Sequence, residues 1–132
     1  MKPMNSPEQH RRQRILIADD SEMNRSILAD MLGEEYDILE AEDGVKAVAA
    51  LQKYRTAIDL VLLDIVMPEM DGFEVLTLMN QQGWIEDIPV IMISAETAPA
   101  HVERAYNLGA TDFINRPFNG MVVHRRVVNT TL

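Results

Sequence analysis

Short apolar runs, each closed by a polar or charged side chain, set the rhythm of this chain. Residues 15–18 run into Asp19 and Asp20, residues 60–63 into Asp64, and residues 90–93 into Ser94; Phe113 and Ile114 lead through Asn115 to Arg116. Four or so apolar residues in a row describe a strand covered on both faces, which delivers the next side chain to its C-terminal end. A further run at 36–41 is interrupted by Asp37 and Glu40, and the run at 112–114 is short with polar flanks. Both read as edge strands.

Between the strands the period changes to that of a helix. Met23, Ile27, Leu28, Met31 and Leu32 recur at helical spacing after the capping residue Ser21, and Gly33 stops them. Asp43-Gly44 opens a second helix over 45–54, with Val48 and Leu51 inward. Pro68 bars an early start to the third, so Asp71 is its natural cap; Val75, Leu76 and Met79 face inward and the helix ends near Gly83. Pro99 suits the first turn of a fourth helix, with Val102, Ala105 and Tyr106 inward and Gly109 as its stop. A fifth spans 119–129, with Val123 and Val127 on one face.

Strictly alternating strands and helices require right-handed crossovers and a parallel sheet. Placing the two most polar strands outside yields the order 2-1-3-4-5. This is a doubly wound α/β (βα)5 flavodoxin-like fold, whose switch point lies between strands one and three. Asp19, Asp20 and Asp64 end on those two strands. The sequence divides into a loose N-terminal tail, 1–13, and one domain, 14–132.

Composition narrows the partners. Net charge is −9, yet between Ile15 and Asn115 there are 20 acidic and five basic residues, a balance of −15. Such a body repels nucleic acid and favours a divalent cation or a basic protein partner. There is no cysteine, hence no disulfide and no thiolate site. No apolar run is long enough to span a membrane, and the expected compartment is the cytoplasm. The nine methionines read as core filler, and His10, His101 and His124 as separate surface residues without ligand spacing.

The strand ends would gather three carboxylates, a hydroxyl and a guanidinium. Magnesium takes oxygen ligands in octahedral geometry, commonly one or two carboxylates with water and phosphate oxygens. Asp20 and Asp64 are the expected direct ligands, with Asp19 acting through water; manganese would serve in place of magnesium. With a cation bound, Asp64 can act as an anionic nucleophile toward phosphorus, Arg116 can offset charge on the transferring oxygens, and Ser94 can donate to one of them.

Read together, Ile17-Ala18-Asp19-Asp20, the stretch from Leu62 to Gly72, Ser94-Ala95, the stretch from Gly109 to Ile114 and Arg116-Pro117-Phe118 resemble the receiver domain of two-component response regulators. The resemblance implies Asp64 as phosphoacceptor, Asp19 and Asp20 as the acid pair, the Val66 main-chain carbonyl as a further metal ligand, Ser94 as the switch hydroxyl and Phe113 as the switch aromatic. It implies a cis Arg116-Pro117 bond. It also implies a histidine kinase or phosphotransfer protein as phosphodonor, and an output domain or homodimer on the face of the fourth helix, fifth strand and fifth helix. In this family lysine stands where this chain has Arg116, and Val66 and Glu96 hold positions that tune water access.

Two other readings stand beside this one. A pseudo-receiver would bind proteins without taking phosphate. A phosphatase of the haloacid dehalogenase type would need an aspartate two residues after the nucleophile, where this chain has Val66. The chain is therefore expected to be a phosphoryl acceptor rather than an enzyme.

Overall fold

The computed structural model describes residues 12–95 and 98–132. Residues 1–11 of the expected tail, His10 and Glu96 lie outside the described residues. Five strands form one parallel sheet: β1 (Arg14–Ala18), β2 (Asp37–Ala41), β3 (Leu60–Asp64), β4 (Val90–Ser94) and β5 (Asp112–Asn115). Their order is β2-β1-β3-β4-β5, the order expected from the polar edges. Five helices connect and follow them: α1 (Glu22–Leu32), α2 (Gly44–Tyr54), α3 (Gly72–Gln81), α4 (Pro99–Asn107) and α5 (Gly120–Thr131).

Alternation along each strand divides the core into two layers. Ile15, Ile17, Leu60, Leu62, Ile91, Ile93 and Ile114 face α1 and α5, where they meet Leu28, Leu32, Val123 and Val127. Leu16, Val61, Leu63, Val90 and Met92 face α2, α3 and α4, against Leu51, Leu76, Met79 and Ala105. Because β1, β3 and β4 are covered on both sides, their sequences are apolar without interruption.

The helix caps follow the sequence. Ser21 accepts from the Asn24 N–H and Asp43 from the Lys46 N–H. Asp71 and Glu74 form a reciprocal capping box at the start of α3. Three strands run one residue further than their apolar stretches. Asp64 pairs in register with Ile93, and Ser94 with Asn115, so the polar end groups belong to the last rungs of the sheet.

Some expected core positions are not core. Tyr106 is 45 % exposed, because Ala105 takes the face toward the sheet and the next residue is turned about 100° away. Met23 and Ile27 are likewise exposed, while Leu28 and Leu32 are the α1 side chains fully buried. Met67, Met79 and Met92 are buried as core filler, but Met121 is exposed. The two described histidines both have partners: His101 stacks on Phe73 with ring centroids 5.9 Å apart, and His124 lies 2.7 Å from Glu35. Arg12 and Gln13, assigned to the tail, bind the body: Arg12 donates to the carbonyls of Gly33 and Tyr36, and Gln13 to that of Thr131.

Candidate functional site

The parallel topology carries the C-terminal ends of β1 and β3 side by side, with Ala18 opposite Leu63 in the register. The residues that follow are Asp19, Asp20 and Asp64. Each offers a carboxylate oxygen, and the three oxygens lie within 4.8 Å of one another. Asp19 and Asp64 are buried, whereas Asp20 is exposed.

The two buried acids share one counter-ion. A single terminal nitrogen of Arg116, Nη2, lies 2.6 Å from Asp19 Oδ2 and 2.7 Å from Asp64 Oδ2. The guanidinium therefore acts here through one nitrogen rather than as a two-pronged fork. The other oxygen of Asp19 accepts the Ser21 N–H at 2.9 Å. Two buried side-chain atoms lack a hydrogen-bond partner among the described residues: the acceptor Asp64 Oδ1 and the donor Arg116 Nε. Unpaired buried polar atoms are rare in native proteins, and each calls for an explanation.

The Asp64 carboxyl is raised to about 6: burial, the largest cause, and the charge of Asp19 push it up, and Arg116 offsets them only in part. Burial works against the charge of Arg116, but its bonds to Asp64 and Asp19 outweigh that and raise its proton affinity.

The loop from Ile65 to Asp71 is pinned close beneath the site. The Gly72 N–H donates to the Ile65 carbonyl at 2.7 Å, and Glu69 adopts a left-handed φ of 69°. Backbone in that region costs a non-glycine residue on the order of 1 kcal/mol. Gly72 and Gly44 allow two helix starts to approach this loop: a methyl on Gly72 would fall on the Asp64 carbonyl oxygen, and one on Gly44 on that of Met70. Val66 is exposed in the same loop.

Ser94 is buried at the end of β4, and its carbonyl accepts the Arg116 N–H at 3.1 Å. The Arg116-Pro117 bond is cis. Phe113 is packed inward at 8 % exposure, on the α2–α4 side of the sheet. The structure thus brings Asp19, Asp20, Asp64 and Arg116 together, sets Ser94 on the neighbouring rung, and buries Phe113 away from solvent.

The donor set fits a hard divalent cation. All three side chains offer carboxylate oxygens, Asp64 Oδ1 is an acceptor without a donor among the described residues, and Asp20 is exposed. Arg25 was not singled out as a site residue by the sequence reading, yet its Nη1 donates to the Asp19 carbonyl at 2.7 Å. Its signal in the sequence is slight: it is one of only five basic residues on a strongly acidic body.

Comparison with known proteins agrees with this architecture. The family described as the response regulator receiver domain matches residues 15–128, and the chain belongs to that family. It is a receiver domain of the two-component response regulator type. A probable cyclic di-GMP phosphodiesterase of Vibrio cholerae is 39% identical over 113 residues, covering 86% of this chain and 25% of that protein. The chain thus spans about a quarter of that relative's length. The rice two-component response regulator ORR3 is 30% identical over 125 residues, covering 94% of this chain and 92% of its own. Among solved structures, the CheX-CheY-BeF3-Mg2+ complex from Borrelia burgdorferi matches with a TM-score of 0.83 at 33% identity, covering 91% of this chain and 90% of that one. No described helix is long and apolar enough to cross a membrane.

Proposed function

We propose that Asp64 accepts a phosphoryl group in a divalent-cation-dependent reaction, with a histidine kinase or phosphotransfer protein as donor. One observation carries this reading. The two orphaned buried atoms of the site have opposite polarity: Asp64 Oδ1 awaits a cation and Arg116 Nε awaits an anion. Magnesium or manganese held by Asp20, Asp64 and the Val66 carbonyl, with Asp19 through water, would supply charge neutralisation on the transferring oxygens.

In the step itself, a carboxylate oxygen of Asp64 forms a bond to phosphorus. The phosphorus–nitrogen bond of the donor phosphohistidine breaks, its electron pair stays on the imidazole nitrogen, and that ring takes up a proton from solvent. Arg116 contacts the phosphoryl oxygens in place of the family's lysine, keeping the positive charge but presenting it on a bulkier group. Ser94 donates to one phosphoryl oxygen. The phosphoryl group draws Ser94 toward it, and Phe113, which is buried at 8 % exposure, is the aromatic that follows into the vacated space. The face of α4, β5 and α5 then shifts between two populations and engages an output domain or a second copy of the chain. The domain works in the cytoplasm and has no catalytic turnover of its own substrate. The Borrelia CheX-CheY-BeF3-Mg2+ complex supports the same chemistry here by kinship.

Acetyl phosphate with magnesium is expected to add the mass of one phosphoryl group to the intact protein. Chelating the metal should abolish that gain. A protein that binds metal but gains no mass would be a binding module that does not take phosphate, and a mass gain that survives chelation would exclude the metal's role.

A further inference from the structure

Asp20 is the exposed member of the acidic trio, and among the described residues its side chain makes no hydrogen bond or ion pair. Its direction is therefore set by its backbone. The peptide units on either side of it are both fixed. The Ser21 N–H, in the unit after Asp20, is held by Asp19 Oδ1 at 2.9 Å. The Asp19 carbonyl, in the unit before it, is held by Arg25 Nη1 at 2.7 Å. The Asp19 N–H on the other side closes onto the Ala41 carbonyl at 3.1 Å.

Arg25 is itself anchored. Its Nε donates to Glu40 at 3.0 Å, near the C-terminal end of β2, and its side chain is only 13 % exposed. The guanidinium thus ties three things: helix α1, the end of β2 and the carbonyl immediately before Asp20. An arginine has the donors to reach carbonyl and carboxylate at once from a fixed plane; a lysine offers a single point.

We propose that Arg25 is the positioning residue of Asp20, orienting this cation ligand through the peptide group that precedes it. The proposal rests on the reading of Asp19, Asp20 and Asp64 as a divalent-cation site. Outer partners that orient metal ligands typically alter affinity 10- to 100-fold when removed. The sign of the effect separates positioning from plain electrostatics. Deleting a positive charge that touches the Asp19 main chain would, by charge alone, tighten binding of a divalent ion. Loss of positioning weakens it.

The test is a Mn2+ titration followed by electron paramagnetic resonance of the free ion, on the wild type, Arg25→Met and Arg25→Lys, with urea unfolding measured in parallel. Arg25→Met is expected to bind Mn2+ about tenfold more weakly. Arg25→Lys, which keeps the charge, should lie between it and the wild type. Should Arg25→Met fail to fold, the lysine variant carries the test alone. A purely structural role would lower the unfolding midpoint and leave the affinity of the folded molecules unchanged. A folded variant that binds Mn2+ as tightly as the wild type, or more tightly, overturns the proposal. If the wild type shows no Mn2+ binding that Asp20→Asn and Asp64→Asn remove, the site reading fails and the proposal falls with it.

Discussion

Asp64→Asn is expected to make the metal-free protein more stable near neutral pH, by roughly 2–3 kcal/mol for a carboxyl shifted by about two pH units. In the folded chain burial raises this carboxyl from 3.8 to about 6. Between those two values the folded state holds more protons than the unfolded state. Stability therefore falls as pH rises from about 4 to about 6, and stays lower above that. Asparagine removes the titrating group while Arg116 keeps its 2.6 Å contact with Asp19. Urea unfolding in the presence of a chelator should show the two proteins equal near pH 4 and diverging as pH increases. Saturating magnesium should close the gap from the wild-type side, since a ligand at 100 times its Kd stabilises by about 2.7 kcal/mol. A variant less stable than the wild type at neutral pH, or a gap independent of pH, would contradict the assignment.

The second large effect is expected at Gly72. A methyl there meets the Asp64 carbonyl oxygen and stands 2.9 Å from Ile65 Cα, both main-chain atoms that cannot swing aside. The start of α3 and the loop after Asp64 would have to separate. Gly72→Ala should lose about 3 kcal/mol of stability and its Mn2+ binding together. Gly83→Ala is the control. Gly83 has a left-handed φ of 75° but open space around its Cβ position. That variant should lose on the order of 1 kcal/mol and keep the metal site. Thermal unfolding with Mn2+ titration of the two variants reads both quantities, and a Gly72→Ala protein as stable as the wild type would refute the packing argument.

Much of this architecture is legible in the chain because its physics is local. Residues 60–63 and 90–93 can only be strands buried on both faces, and Asp37 and Glu40 mark an edge whatever the rest does. Ser21, Asp43 and Asp71 announce their helices by capping chemistry. The acid trio follows from the same runs, since parallel strands end on one edge. What periodicity could not decide was which of two adjacent helical rows faces the sheet. Met23 and Ile27 are as apolar as Leu28 and Leu32, yet only the latter pair reaches β1 and β3. Tyr106 failed for the same reason. The contact of Arg25 with the Asp19 carbonyl was hidden more deeply, because it depends on α1 lying across the ends of β1 and β2. Nor does an arginine in the place of lysine reveal that one nitrogen alone would bridge Asp19 and Asp64.

The most direct measurement labels the protein with acetyl phosphate and magnesium, reduces the acyl phosphate with borohydride, and sequences the peptides by mass. Reduction converts a phosphorylated aspartate to homoserine. The arrangement of cation, arginine and paired strand tips predicts homoserine at position 64 and nowhere else. Homoserine at 19 or 20, or none at all in protein that binds the metal, would contradict it.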